Sequence, residues 1–208
     1  MPFPEFDLYL VTDRRQTAGR DLLWVLEQAL AGGVKAIQLR EKDLTGCDLF
    51  YLAEKCRNLC EKYRAALIIN DRIDIALAVD AAGVQLSCLS LPIPTARQLL
   101  GTEKLIGAST HSLLEARAAD ESGADFILFG PVYFTPSKAP YGAPQGLPAL
   151  KEIVEKTSLP VYAIGGINAA SISEVKPTGI RGIALISAVM GARDPKLATE
   201  ELHTLLRR

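Results

Sequence analysis

A closed (β/α)₈ barrel, the TIM barrel of the α/β class, is the fold this sequence predicts, and three observations predict it. Short apolar runs alternate with helix-patterned segments along all 208 residues, in roughly eight repeats, the number a compact barrel needs. The runs are continuously apolar rather than alternating, as strands buried on both faces of a parallel sheet are. Polar residues stand at the carboxyl end of nearly every run, where such a barrel keeps its chemistry. An open doubly wound sheet, the rival architecture, gives no reason for that last feature. No linker, repeat or low-complexity stretch divides the chain, so 1–208 reads as one barrel domain.

Taken in order, the first strand is Leu8–Thr12, apolar and β-branched. Asp21–Ala31 follows as an amphipathic helix with Leu22, Val25, Leu26 and Ala29 on one face, ended by Gly32-Gly33. Strand Ala36–Leu39 leads to a helix over Leu44–Tyr63, and strand Ala66–Ile69 to a short helix over Ile73–Val79. Gly83–Leu86 is the fourth strand, Thr95–Leu100 a helix, and Leu105–Ala108 the fifth strand. Ser112 caps a helix to about Ser122, with Glu115 at the spacing of a capping box. Strand Phe126–Phe129 opens into a Pro- and Gly-rich loop from Gly130 to Gly146, and a helix over Leu147–Lys156 follows. Val161–Asn168 holds the seventh strand and its two glycines, and Gly182–Ala188 the eighth strand. A helix over Pro195–Leu206 closes the chain.

Composition narrows the function classes. Apolar residues at 49% and charged residues at 23% are those of a globular domain, and a net charge of −1 gives no footprint for nucleic acid or an anionic membrane. The start MPFPEFDLYL has neither a basic region nor an apolar core of the secretory kind, and no apolar run is long enough to span a bilayer, so a cytoplasmic protein is expected. Cys47, Cys56, Cys60 and Cys88 form no CxxC pair, and with only two histidines they read as filler rather than zinc ligands. His203 reads as a surface residue and Trp24 as packing.

The strand ends carry the candidate chemistry. Gln38, Arg40, Glu41 and Lys42 follow strand 2, Asn70, Asp71 and Arg72 strand 3, and Gln85 lies on strand 4. Ser109, Thr110 and His111 follow strand 5, while Thr135, Ser137 and Lys138 lie in the long loop. Arg40, Lys42 and Lys138 suit phosphate, and Asp71 suits Mg²⁺ shared with water and substrate phosphate. Gly165 and Gly166, with Ile186 and Ser187, stand where the loops after strands 7 and 8 commonly hold a phosphate on backbone amides. His111 is the natural acid/base candidate, because a free imidazole titrates near neutrality. Each has a plainer reading: Glu41-Lys42-Asp43 as a solvated charge run, Asn70-Asp71 as a turn with a helix cap, and the glycines as turn residues.

The chain resembles the thiamine phosphate synthase and TenI superfamily over nearly its whole length. The resemblance lies in LYLVTD (8–13), QLREK (38–42), NDR (70–72), IGASTHS (106–112), FGPVYFT (129–135), AIGGI (163–167) and ISA (186–188). It implies a barrel acting on thiazole phosphate in thiamine biosynthesis. For the synthase branch it implies Gln38, Arg40, Lys42, Asn70 and Lys138 on a pyrimidine methyl diphosphate, Mg²⁺ on Asp71, and Ser109, Thr135 and Ser137 near the leaving group. Gly165, Gly166, Ile186 and Ser187 would cradle the thiazole phosphate.

One stretch departs from the synthase pattern. Where synthases carry a histidine on strand 4 and a second Mg²⁺-binding aspartate beyond it, this chain has Gln85 and Ser90. Those residues resemble the TenI branch, whose members are thiazole tautomerases needing no metal cofactor, with a histidine matching His111 moving the proton. Lys138 and Pro131 lean back toward a synthase. The leading expectation is thus a tautomerase, with Ser109 and Lys138 assisting His111; the alternative is a Mg²⁺-dependent synthase, and a third reading is a non-catalytic thiazole phosphate binder. The oligomeric state is left open.

Overall fold

The computed structural model describes residues 6–135 and 143–207. Eight parallel strands close into a barrel in sequence order: β1 (Leu8–Val11), β2 (Ala36–Leu39), β3 (Ala66–Asn70), β4 (Gly83–Leu86), β5 (Leu105–Thr110), β6 (Phe126–Phe129), β7 (Val161–Ile164) and β8 (Gly182–Leu185). Register follows directly, with Asn70 opposite Gln85 across β3–β4 and Ser109 opposite Leu128 across β5–β6.

Alternation along the strands sorts the core into two layers. Inward positions fill the barrel, and four aromatic rings at its base, Phe6, Tyr9, Phe126 and Tyr162, pack with centroids 4.9 to 6.2 Å apart. Gly107 makes room for them: a Cβ there would collide with the Phe126 ring and the Gln85 amide. Outward positions meet the helices. These are α1 (Leu22–Ala31), α2 (Gly46–Lys62), α3 (Ile73–Ala78), α4 (Ile93–Leu100), α5 (Leu113–Glu121), α6 (Gly146–Lys156), α7 (Ile172–Val175), α8 (Ser187–Met190) and α9 (Pro195–Arg207).

Several local expectations are revised. β5 runs on to Thr110, so Ser109 and Thr110 lie on the strand and Ser109 faces inward rather than following it. The eighth strand ends at Leu185, and Ser187 is the first residue of α8, a one-turn helix absent from the sequence reading because four residues carry no periodicity. Helix α2 starts at Gly46, because Thr45 caps it by accepting from the Asp48 amide. Ser112 accepts from the Glu115 amide, but the Glu115 carboxylate takes the His111 amide, one residue earlier than a capping box requires. Trp24 is half exposed, with the Arg20 guanidinium 5.6 Å from its ring. Cys56 and Cys60 are buried, and burial pushes both thiols up, Cys60 to about 12, which leaves them inert packing.

Candidate active site

The segments after β1 and β2 are tied together by one buried carboxylate. Glu41 is only 5% exposed, and it accepts from the Arg14 amide (3.1 Å) and guanidinium (3.1 Å). Arg14 also grips Asp43 at 2.6 and 2.8 Å, and this holds the Asp43 carboxyl down to about 2. The charge run is therefore not uniformly solvated: Glu41 and Asp43 are consumed by Arg14. Arg40 is fixed by its backbone, whose amide donates to Thr12 Oγ1 at 2.9 Å. The side chains of Arg40 and Lys42 make no ion pair among the described residues.

After β3 the chain turns sharply. Asp71 holds φ +66°, a left-handed conformation that aspartate tolerates better than most residues, and its amide donates to the Gln85 carbonyl at 3.0 Å. The turn reading of Asn70-Asp71 holds, but the cap reading does not: the residue before α3 is Arg72, and it makes no side-chain cap bond. Arg72 pairs with Asp74 through two bonds of 2.8 and 2.5 Å; the exposed Asp71 carboxylate accepts no hydrogen bond among the described residues, though its charge is felt by Arg72.

Asp71 and Ser90 line the same cleft of about 580 Å³, which continues between α3 and α4 over Leu77, Leu91 and Leu99. The Ser90 hydroxyl closes its own turn by accepting from the Ser87 amide at 2.8 Å. Among the described residues no group of three His, Cys, Asp or Glu side chains could hold a metal. The donors fit Mg²⁺ only as a partial set, one carboxylate to be completed by water and substrate phosphate, which is how this ion is commonly held.

Inside the barrel, polar side chains form a chain of contacts above the aromatic base. Gln38 Nε2 donates to the Tyr9 hydroxyl (3.2 Å), Tyr9 donates to Gln85 Oε1 (3.4 Å), and Gln85 Nε2 donates to Ser109 Oγ (3.1 Å). In the sequence Tyr9 is one residue of the first strand and of LYLVTD; its place beside two inward glutamines is set by barrel closure, which no local pattern reports.

The phosphate candidates are brought together by β6, β7 and β8. Val132 and Tyr133 donate backbone bonds to the carbonyls of Ile164 (2.9 Å) and Gly165 (3.0 Å). This close approach explains the glycines: with φ +100° and +69°, Gly165 and Gly166 are left-handed, and a Cβ on Gly166 would lie 2.6 Å from Tyr133 Cβ. The amides of Gly165, Gly166, Ile186 and Ser187 donate to no acceptor among the described residues. Thr135 Oγ1 is buried and also lacks a described partner. Ser137 and Lys138 lie outside the described residues.

His111 is exposed, and its Nδ1 hydrogen-bonds the Gly130 carbonyl at the end of β6. A carbonyl only accepts, so Nδ1 carries a proton and Nε2 is the nitrogen left to exchange one. The other histidine, His203, lies 3.6 Å from Asp7 and lines a separate cavity with Lys35, Arg181 and Arg207. No helix among the described residues is long and apolar enough to cross a membrane.

Comparison with known proteins agrees on one family. The family model described as thiamine monophosphate synthase matches residues 8–189. A Geobacter sulfurreducens protein provisionally named thiamine-phosphate synthase is 51% identical, covering 97% of this chain and 95% of its own. The thiamine-phosphate synthase of Clostridium novyi is 43% identical over 96% of this chain and 98% of its own. Among solved structures, the thiamine phosphate pyrophosphorylase of Pyrococcus furiosus superposes with a TM-score of 0.89 at 42% identity, covering 97% of this chain and 96% of that one.

Proposed function

Because the chain belongs to the thiamine monophosphate synthase family, we propose that it is a thiamine-phosphate synthase, with residues 1–208 acting as one catalytic domain. The relatives' names favour this over the tautomerase that led the sequence reading. The observation that carries it is a pair of cations without ion-pair partners among the described residues, Arg40 and Lys42 after β2, together with the Asp71 carboxylate after the neighbouring β3. A diphosphate leaving group needs such a cluster; isomerising a monophosphate does not.

In this reading the thiazole nitrogen attacks the pyrimidine methylene carbon. A C–N bond forms, the C–O bond breaks, and diphosphate leaves with the electron pair, so no proton has to be moved. Arg40 and Lys42 meet the charge that builds on the departing oxygens, and Asn70 orients them. Lys138 of the long loop joins them. Gln38 engages the pyrimidine, and Ser109, which the resemblance puts near the leaving group, is assigned to the same ring because its hydroxyl ends the line of contacts that starts at Gln38; Thr135 and Ser137 stay with the leaving group. Gly165, Gly166, Ile186 and Ser187 hold the thiazole phosphate on backbone N–H groups. Asp71 would bind Mg²⁺, which supplies further neutralisation of the leaving group. The test is product identification from pyrimidine methyl diphosphate and thiazole phosphate, with and without Mg²⁺; formation of thiamine phosphate and diphosphate supports the proposal, and none with Mg²⁺ sinks it.

With one carboxylate, Mg²⁺ affinity in the absence of substrate should be weak. Ser90→Asp is expected to lower the Mg²⁺ concentration for half-maximal rate by about tenfold, since one oxygen can keep the Ser87 amide while the other faces the cleft. An unchanged Mg²⁺ dependence would show that this position does not reach the metal.

One observation favours the tautomerase as a second reading: His111, with Nδ1 committed to Gly130, has Nε2 available as acid or base. His111→Asn is then expected to lower turnover of the carboxythiazole phosphate tautomer by about a hundredfold, the scale of general acid–base catalysis, with thiazole phosphate affinity little changed. Isomerisation that persists at near the original rate removes His111 from that chemistry.

A further inference from the structure

We infer that Tyr9 is a positioning residue that couples Gln38 to Ser109, so that the two groups offered to the pyrimidine ring are set as a matched pair. The inference deepens the synthase reading and rests on it for the identity of the ligand.

The coupling follows from proton counting. Gln38, Tyr9, Gln85 and Ser109 form one line of contacts at 3.2, 3.4 and 3.1 Å, and the first three are buried. Tyr9 has a single hydroxyl proton, and burial holds its ionisation far above the ordinary range, so it stays neutral. As the line stands, every bond runs from Gln38 toward Ser109. The Gln38 carbonyl oxygen and the Ser109 hydroxyl proton are then left over, an acceptor at one end and a donor at the other.

Turning one amide alone breaks the line. If only Gln38 turned, two carbonyl oxygens would compete for the one Tyr9 proton. If only Gln85 turned, the Tyr9 oxygen would face two N–H donors and its proton would have no acceptor. Both must turn together, which reverses what is offered at both ends. An orphaned buried polar group carries its full desolvation cost, which makes the mixed states rare. A ring bearing an amino donor and an acceptor matches the observed direction. The aromatic body of Tyr9 is held separately, against Phe6, Phe126 and Tyr162, so Phe can replace it without emptying the base of the barrel.

The experiment is a double-mutant cycle of Gln38→Met and Ser109→Ala, read as Kd for the pyrimidine diphosphate by calorimetry. In the otherwise unmodified chain the two changes should be non-additive by about fivefold or more, because each disturbs the other through the line. In a Tyr9→Phe background they should become additive within about twofold. Gln85→Leu cuts the same line one link further on and should do the same, which keeps the test open if Tyr9→Phe does not fold. Kd for thiazole phosphate should stay unchanged throughout, which a general loss of structure would not allow. Non-additivity that survives in either folded background, or that is absent from the start, overturns the role of Tyr9. Coupled binding without turnover would instead overturn the synthase reading and leave Tyr9 in place, while failure of the pyrimidine diphosphate to bind overturns both.

Discussion

Asp71→Asn is expected to lower synthase turnover by about a thousandfold, the several kcal/mol that a bound cation contributes to a developing negative charge. The substitution keeps the size of the side chain, and asparagine tolerates the left-handed φ of +66° as well as aspartate does, so the turn after β3 should survive. Asp74 cannot substitute, because both its oxygens are bonded to Arg72. Ser90 cannot either, as a neutral hydroxyl already accepting from Ser87. Initial rates at saturating substrates over a Mg²⁺ series check this. A variant within tenfold of the original rate would mean that the metal is held elsewhere or that the reaction does not need it.

The second large effect is expected at Gly166. Gly166→Val should weaken thiazole phosphate binding by several hundredfold, since it displaces amides whose hydrogen bonds to a charged group contribute roughly 1.5–3 kcal/mol each. Valine is strained at φ +69°, and its Cβ would press on Tyr133 Cβ and on the Phe134 carbonyl at 2.9 Å. Because Tyr133 and Phe134 belong to the segment after β6, some loss of thermal stability should accompany the change. Calorimetry at a temperature where circular dichroism shows an intact barrel separates the two. Unaltered affinity in a folded variant would remove the glycine loop as the phosphate site.

The barrel was legible because its signals are local: each strand is a short apolar run and each helix has its own apolar stripe. Of the candidate site, the placement was legible: Arg40, Asp71 and Gly166 do stand just past the ends of β2, β3 and β7. Three things were not. Glu41 and Lys42 are adjacent in the chain yet one is buried and the other exposed, since Arg14, far away in sequence, decides which charge turns inward. Tyr9 looked like any strand residue until closure set it beside Gln38 and Gln85. The tautomerase lead rested on Gln85 and Ser90, two positions in one short stretch, while the relatives that are similar over nearly the whole chain carry the synthase name.

The backbone bonds around the long loop have a consequence for chain engineering. Gln145 donates to the Pro131 carbonyl at 2.8 Å and Gly146 to that of Val132 at 3.1 Å, while Val132 and Tyr133 are stitched to the end of β7. The two feet of the loop are thus clamped to each other and to the barrel before any residue between them is counted. Lengthening a chain whose ends are already held together costs little, only about 0.6 kcal/mol for each doubling. The clamp makes the stretch between these two feet a place where residues can be inserted while the eight-stranded ladder below keeps its register.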